Sequence, residues 1–329
     1  MQMQSTKKLK NKTETMNILI TGAGGYIGSY LLNFLGKNTP NHIIPLSKKW
    51  PEHFYDWKDK FNVIEADVTK LDELQEKIPQ KIDIIIHLAA LNNIKTAKMP
   101  EKALIVNGIG TRNMLDVARE RNCRLFIYFS VLQVYGKELA GTITVDSSLN
   151  CSDDYALTHF VAEEYCRMLS LKYGLNASVV RLANVCGCPL HRKVDRWTLV
   201  PGCFCLSAYK DKVIRLKSSG RQTRDFVSFE YIGKCIKHLI EKRPNGFNIY
   251  NLTSENVFPI IEIAEMVKSS AQSILNKNVR IICESRYPLR SNQFSVKNNL
   301  LKPPEKKESR HILSQEIEKT LKMLSIKNL

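Results

Sequence analysis

The segment DDYALTHFVAEEYC (residues 153–166) sets Tyr155 and His159 four positions apart, which is one turn apart on a single helix face. A phenol so placed can donate or accept a proton. Its ordinary pKa of about 10 makes it a poor base at neutral pH, and a cation beside it would bring that value down. His159 is a weak source of such charge, because an imidazole with a pKa of about 6.5 is mostly neutral at pH 7. A second group of residues points to phosphate. Gly22, Gly25 and Gly28, within TGAGGYIGS, recur every three residues. Glycine at those points lets backbone N–H groups approach a pyrophosphate, and a helix that starts there adds its positive dipole. A strand–helix turn without a ligand is the plainer alternative.

Both groups need a scaffold, and the apolar pattern supplies one. MNILITGAGGYIGSYLLNFL reads as a strand over Ile18–Ile20, a glycine turn, then a helix with Ile27, Leu31, Leu32 and Leu35 on one face. Apolar strand patterns recur in HIIPLS, FNVIEADV, IDIIIHLAA, RLFIYFSV and ASVVRLANV, and EKALIVNGIGTRNMLDVARERN (101–122) is the clearest intervening helix. Alternating strands and helices imply an α/β fold, a Rossmann-type doubly wound parallel sheet whose ligands bind beyond the carboxyl ends of the strands. Past residue 183 the pattern becomes irregular, as a smaller C-terminal substrate-binding lobe would. The expected organisation is a disordered basic lead-in over 1–15, a nucleotide-binding domain over 16–182 and the lobe over 183–329. A strand and helix in FVSFEYIGKCIKHLIE lead back to the first domain (about 225–252). The final ESRHILSQEIEKTLKMLSIK is an amphipathic helix with Ile312, Ile317 and Leu321 on its covered face.

TGAGGYIGS, EADVT, IIHLAA, VNGIGTRNML, VYG and the Tyr155 helix occur in the order and spacing of the extended short-chain dehydrogenases, which include nucleotide-sugar epimerases, dehydratases and reductases. The resemblance continues through VVRLANVCG, GRQTRDFVSFEYIGKCIKHLIE and FNIYNLTSENV, covering about residues 16–300. It implies a dinucleotide held by Gly22, Gly25, Tyr26, Ile27, Gly28, Ser47, Lys48, Asp67, Val68, Leu88, Ala89, Ala90, Asn107, Tyr155 and His159. Asp67 would contact the adenine. At the end of the second strand, an Asp or Glu would hold the ribose hydroxyls of NAD; here stand Ser47, Lys48 and Lys49. A hydroxyl beside two ammonium groups suits the 2′-phosphate of NADP better, so NADP is favoured over NAD; a ligand-free surface lysine pair is the alternative. In this family the tyrosine is the acid/base at the sugar hydroxyl, a lysine one turn on binds the nicotinamide ribose, and a Ser or Thr hydrogen-bonds the substrate oxygen. Here His159 occupies the lysine position and Val131 the hydroxyl position. Ser130 could serve if the backbone turned to present it, although neighbours at a strand end point oppositely. Leu132 and Gln133 replace the Asp-Glu pair of dehydratases, which disfavours dehydration. Asn184 matches an asparagine, and Arg224 an arginine, that contact the nucleotide diphosphate; Arg290 lies near a second such arginine. The planar donors of arginine suit phosphate, though Arg224 beside Asp225 would equally make a structural ion pair.

Bulk properties narrow the setting. The chain has 329 residues, 43% hydrophobic and 25% charged, with a formal net charge of +17. Such basicity attracts anions, but part lies in peripheral lysines that serve solubility, and RNA binding rests on the charge alone. No apolar run is of membrane-spanning length, and the polar, basic start is not a secretory signal. An odd count of nine cysteines fits reduced thiols in a cytoplasm. Cys186 and Cys188, like Cys203 and Cys205, are spaced more closely than in most structural zinc sites, so no metal is expected. The implied partner is a nucleotide sugar, with a homodimer expected and no membrane. An epimerase or ketoreductase is the leading reading; a catalytically impaired relative serving as sensor or scaffold is the other.

Overall fold

The structure, a computed structural model, describes residues 14–285 and 293–326. Its strands up to the second lobe are β1 (Asn17–Thr21), β2 (His42–Ser47), β3 (Ile64–Glu65), β4 (Ile84–His87), β5 (Leu125–Val131), β6 (Gly141–Ile143) and β7 (Ala177–Leu182). Then follow β8 (Asn184–Cys186), β9 (Val213–Leu216), β10 (Thr223–Ser228), β11 (Phe247–Leu252), β12 (Val257–Pro259), β13 (Arg280–Cys283) and β14 (Phe294–Val296). The helices are α1 (Tyr26–Asn38), α2 (Leu71–Lys77), α3 (Asn93–Lys98), α4 (Pro100–Ala103), α5 (Gly110–Glu120), α6 (Asp154–Tyr173), α7 (Val200–Asp211), α8 (Phe229–Lys242), α9 (Ile260–Leu275) and α10 (Lys306–Ser325). Among the described residues, no helix is long and apolar enough to cross a membrane.

Seven strands make one sheet in the order β11-β7-β5-β4-β1-β2-β3, with every neighbouring pair parallel. Period-two alternation sends Ile18, Ile20, Ile84, Ile86 and Ile127 into a core shared with α1 and α8. Leu19, Ile85, Phe126 and Tyr128 enter a second core beneath α5 and α6. Both faces are thus covered, which explains the nearly continuous apolar runs of these strands. The strand order reverses between β1 and β4, the switch point where such sheets open a crevice.

The helix expected over 101–122 is interrupted. Leu104–Ile109 is a π-helical turn between α4 and α5, and it carries Asn107 inward. In the second lobe, β12, β10 and β8 form a three-stranded sheet over a core that includes Phe204, Phe226, Phe258, Ile263, Leu313, Ile317 and Leu321. β10 therefore stays in the lobe. The segments that return to the main sheet are α8, against Phe34 of α1 at Gly233, and β11, paired with β7.

Candidate active site

The glycine turn is built for close approach. Gly22 has φ +65°, and a Cβ there would lie 2.9 Å from the Ala89 amide nitrogen. A Cβ on Gly28 would overlap the Gly22 carbonyl oxygen. Helix α1 has Gly25 as its N-cap, with no side-chain cap bond and no acidic residue in its first turn, so its amides and positive dipole end face the crevice uncompensated. This cradle fits a pyrophosphate. Tyr26 and Ile27 border it with backbone only. The Tyr26 hydroxyl donates to Gly187 O at 2.6 Å and accepts from Gly187 N at 3.0 Å, tying α1 to the second lobe, while Ile27 packs into the core.

Around the cradle, several of the residues expected to contact the cofactor brace the protein. Ser47 is buried, and its Oγ accepts from Gly24 N at 3.0 Å, tethering the turn. Lys48 Nζ pairs with Asp67 Oδ2 at 2.6 Å, and Asp67 Oδ1 accepts from Thr69 N and Oγ1. Burial works to raise the Asp67 pKa, but Lys48 and Thr69 outweigh it and hold the carboxyl below its usual range. Val68 is buried in the core beneath α5, so its side chain does not face the crevice. Leu88 and Ala89, with the exposed Ala90 beyond them, form the turn after β4; Leu88 N and Ala89 N donate to Thr21 Oγ1, both at 3.2 Å. Thr21 in turn bonds the buried His87 at 2.7 Å, an imidazole that burial pushes down to about 3. Asn107 is fully buried. Its Oδ1 accepts from Leu91 N at 2.7 Å and its Nδ2 donates to Thr158 Oγ1 at 3.0 Å, so its amide braces the loop after β4 against α6.

That link carries Tyr155. Thr158 Oγ1 donates to Tyr155 O at 3.1 Å, and through Asn107 it joins the first turn of α6 to the loop that follows β4. Asp153 caps the helix, accepting from Ala156 N at 2.9 Å. His159 is buried, its ring edge-on to Tyr155 at 4.7 Å. Its Nδ1 lies 2.7 Å from the Tyr128 hydroxyl, and its Nε2 is buried with no partner. Burial pushes its pKa to about 3, so the imidazole is neutral.

Ser130 does not reach Tyr155. Its hydroxyl donates to Glu163 Oε1 at 2.5 Å. Glu163 stands eight residues beyond Tyr155 on α6, or about 12 Å along the helix axis. Strand alternation is the cause: Ser130 shares the α6 face of β5 with Tyr128, whereas Val131 packs against the opposite core. Glu163 also pairs with the buried Arg181 at 2.7 Å. Arg181 Nη1 donates to the Tyr135 hydroxyl, which donates to Asn251 Oδ1, both at 2.8 Å. A buried pair so fully bonded is structural, and loss of one partner would cost about 3–5 kcal/mol.

One residue at this site carried no sequence signal. Arg196, in the segment between β8 and α7, lies near enough for its charge to act on the Tyr155 phenol, and its Nη1 is buried and unpartnered. Burial raises the Tyr155 pKa, Arg196 opposes that rise, and Asp153 adds to it; the net effect lies above the ordinary phenol value. On the substrate side, Asn184 Nδ2 donates to Asp225 O at 3.0 Å. Arg224 is exposed and donates to Thr223 O at 2.9 Å; adjacent strand residues diverge, and Asp225 turns inward to bond Ser254 N and Oγ. Asp225 is buried with Oδ2 unpartnered, and burial raises its pKa to about 7. Arg290 lies outside the described residues. Among the described residues, no group of three or more His, Cys, Asp or Glu is placed to hold a metal.

Residues 18–253 match the model of the NAD dependent epimerase/dehydratase family. The chain belongs to that family. UDP-glucuronic acid decarboxylase 6 of Arabidopsis thaliana is 28% identical over 272 residues, covering 77% of this chain and 74% of its own. Among solved structures, UDP-glucuronic acid 4-epimerase from Bacillus cereus in complex with NAD superposes with a TM-score of 0.75 at 20% identity, covering 94% of this chain and 96% of that one. RMD from Pseudomonas aeruginosa complexed with NADPH has a TM-score of 0.75 at 20% identity and covers 94% of this chain and 99% of its own. The family's parallel sheet and its glycine turn are both present here.

Proposed function

We propose that this chain is an NAD(P)-dependent enzyme acting on a nucleotide-activated sugar, as an epimerase or a ketoreductase, with Tyr155 as its proton donor and acceptor. The observation that carries the reading is the bracing of Tyr155: Thr158 and Asn107 tie the start of α6 to the loop after β4, beside the glycine cradle. A bound nicotinamide would supply hydride acceptance and donation. Tyr155 would take the proton of a sugar hydroxyl as that oxygen becomes a carbonyl, and return it as the hydroxyl re-forms. The exposed Arg224 is suited to hold a diphosphate. The sugar nucleotides named for the relatives above support this substrate class.

Lys48 and Lys49, both exposed at the end of β2, favour NADP over NAD. A homodimer is supported by apolar side chains left exposed on neighbouring helices: Leu104, Ile105 and Ile109 before α5, and Leu157, Met168 and Leu171 on α6. A cytoplasmic setting suits a chain whose cysteines are free thiols. The reading as an impaired sensor or scaffold draws support from the neutral His159 and the sequestered Ser130.

The deciding experiment has two parts. Absorbance and mass of any co-purifying nucleotide, with calorimetry of NAD(H) and NADP(H), test the cofactor. Turnover of UDP-sugars by the wild type and by Tyr155→Phe tests the chemistry, with a loss of about 100-fold or more expected for the variant. Dinucleotide binding without turnover would select the sensor reading, and failure to bind either dinucleotide would reject both.

A further inference from the structure

Between β8 and α7, residues 187–199 touch the first domain at three places, each on a segment that follows the carboxyl end of a strand of the main sheet. The hydroxyl of Tyr26, which opens α1 after β1, donates to Gly187 O at 2.6 Å and accepts from Gly187 N at 3.0 Å. His191 stacks on His53, in the turn after β2, with ring centroids 4.6 Å apart and planes 22° from parallel. Asp195 pairs with Lys95 of α3, after β4, at 3.5 Å. The switch point lies between β1 and β4. A segment held to the ends of β2, β1 and β4 therefore spans the place where such sheets bind ligands. Its own backbone bonds are local, Val194 N to His191 O at 3.1 Å and Arg196 N to Val194 O at 2.9 Å, so it can lift without breaking a sheet.

We propose that residues 187–199 are a strap that closes the crevice, hinged at Gly187 and caught by the stacked rings of His53 and His191, and that protonation of the two rings releases it. The three contacts differ in kind. The Tyr26 clasp is two hydrogen bonds from a phenol, which does not titrate near neutral pH. The Asp195–Lys95 pair is more than half exposed at both ends, and such pairs hold weakly. The histidine stack is left as the catch. It continues through Phe54, 4.5 Å from His53, to Trp57, 4.5 Å from Phe54. Imidazole gains its charge just below neutrality, and two charged rings at this separation repel. Burial, His191 and Lys193 hold His53 below the usual histidine value, and burial, Lys193 and Arg192 do the same for His191. The carboxylates of both segments are engaged or turned to solvent: Asp56 pairs with Lys60, Asp195 with Lys95, and Glu52 is exposed. The closed strap is therefore favoured in full above about 6.5, the value of a free imidazole, and that preference is lost as pH falls below it. That the crevice takes a dinucleotide rests on the proposed function; the strap itself does not.

The three tryptophans of the chain, Trp50, Trp57 and Trp197, report on the strap. Trp57 ends the aromatic stack, Trp50 Nε1 donates to Phe54 O at 2.7 Å, and Trp197 lies within the segment. From pH 7.5 to pH 5, with circular dichroism unchanged, wild-type emission should shift to the red as these rings meet water. The shift should vanish in His53→Phe/His191→Phe, which keeps a ring stack that cannot charge. His53→Phe alone, with no pair of charges, should shrink it, and this keeps the test open if the double variant does not fold. At pH 8, trypsin should cut His191→Ala after Arg192, Lys193 or Arg196 about fivefold faster than the wild type, the population gain expected from a lost aromatic pair. His191→Phe should be cut at the wild-type rate, and mass spectrometry locates the cuts. A red shift that persists unchanged in the double Phe variant belongs to another group and overturns the proposal, as does no shift in a folded wild type. Equal cutting of His191→Ala and wild type overturns it too. Neither readout needs sugar or dinucleotide, so the strap is decided separately from whether the protein turns over nucleotide sugars.

Discussion

At the scale of single residues, the polar groups near Tyr155 are largely engaged within the protein, Ser130 with Glu163 and His159 with Tyr128. Tyr155, His159 and Val131 could be placed by counting along unbroken motifs. The occupancy of Ser130 by Glu163, and the arrival of Arg196, depend on contacts between segments far apart in the chain, which no local pattern encodes. His159 gives a sharp expectation. Its imidazole is already neutral, so His159→Phe should leave the acid limb of the rate profile unmoved, while stranding the buried Tyr128 hydroxyl at a cost of about 1–3 kcal/mol. Thermal or urea unfolding reads the second effect. A shift of the acid limb by a full unit would mean that His159 carries charge in the working site. The lysines after β2 give another. Lys48 is already paired with Asp67, so Lys49 is the freer of the two charges. Replacing both by Ala should weaken NADP(H) by about tenfold or more, as expected for a lost charge-assisted phosphate contact, and NAD(H) much less. Equal losses by calorimetry would show that these lysines do not read the 2′-phosphate.

At the scale of elements, period-two and helical apolar patterns located β1, β2, β4, β5, β7 and α1 because each buries a face against a covered sheet. They failed where burial is partial. FNVIEADV supplies only the short edge strand Ile64–Glu65, and α7 and α9 in the second lobe went unread among strands of three or four residues. The π-helical turn at Leu104–Ile109 is invisible to a pattern, since it changes the twist and not the composition. It also turns Leu104, Ile105 and Ile109 outward. On α6, Leu157, Val161, Glu164, Met168 and Leu171 follow steps of four and three residues, the spacing of a helix–helix seam. Burying such a stripe against its copy would remove apolar surface worth about 25 cal/mol per Å². Ile105→Glu with Leu171→Glu should therefore convert a dimer to monomers in light scattering, with the fold intact by circular dichroism. A wild type that is already monomeric at micromolar concentration would reject the seam.

At the scale of the whole molecule, buried titratable groups couple stability to pH with opposing signs. His87 and His159 are held down at about 3. Between that value and the unfolded pKa of about 6.5, the unfolded chain binds more protons than the native one, so stability falls as pH falls. Asp225 does the reverse. Its native pKa is raised to about 7, against about 3.9 when unfolded. The native state therefore holds the extra proton between those values, and stability from this group is present at low pH and lost as pH rises through about 7. The cause is local: Oδ1 is satisfied by Ser254, whereas Oδ2 is buried with no donor, so ionisation places a charge where nothing receives it. Asp225→Asn keeps an acceptor for Ser254 and cannot ionise. At pH 5 the folded variant and the folded wild type are both neutral at this position, and they should melt within a few degrees of each other. From pH 5 to pH 8 the variant should gain on the wild type by about 3 kcal/mol, since about two pH units separate pH 5 from the native pKa of about 7 and each is worth about 1.4 kcal/mol. Melting curves at the two pH values measure the difference, and it is its change with pH that matters. A constant offset would mean that Asp225 is ionised throughout, received by a donor at Oδ2, and that the joint between the lobes carries a charge the buried geometry around Ser254 does not explain.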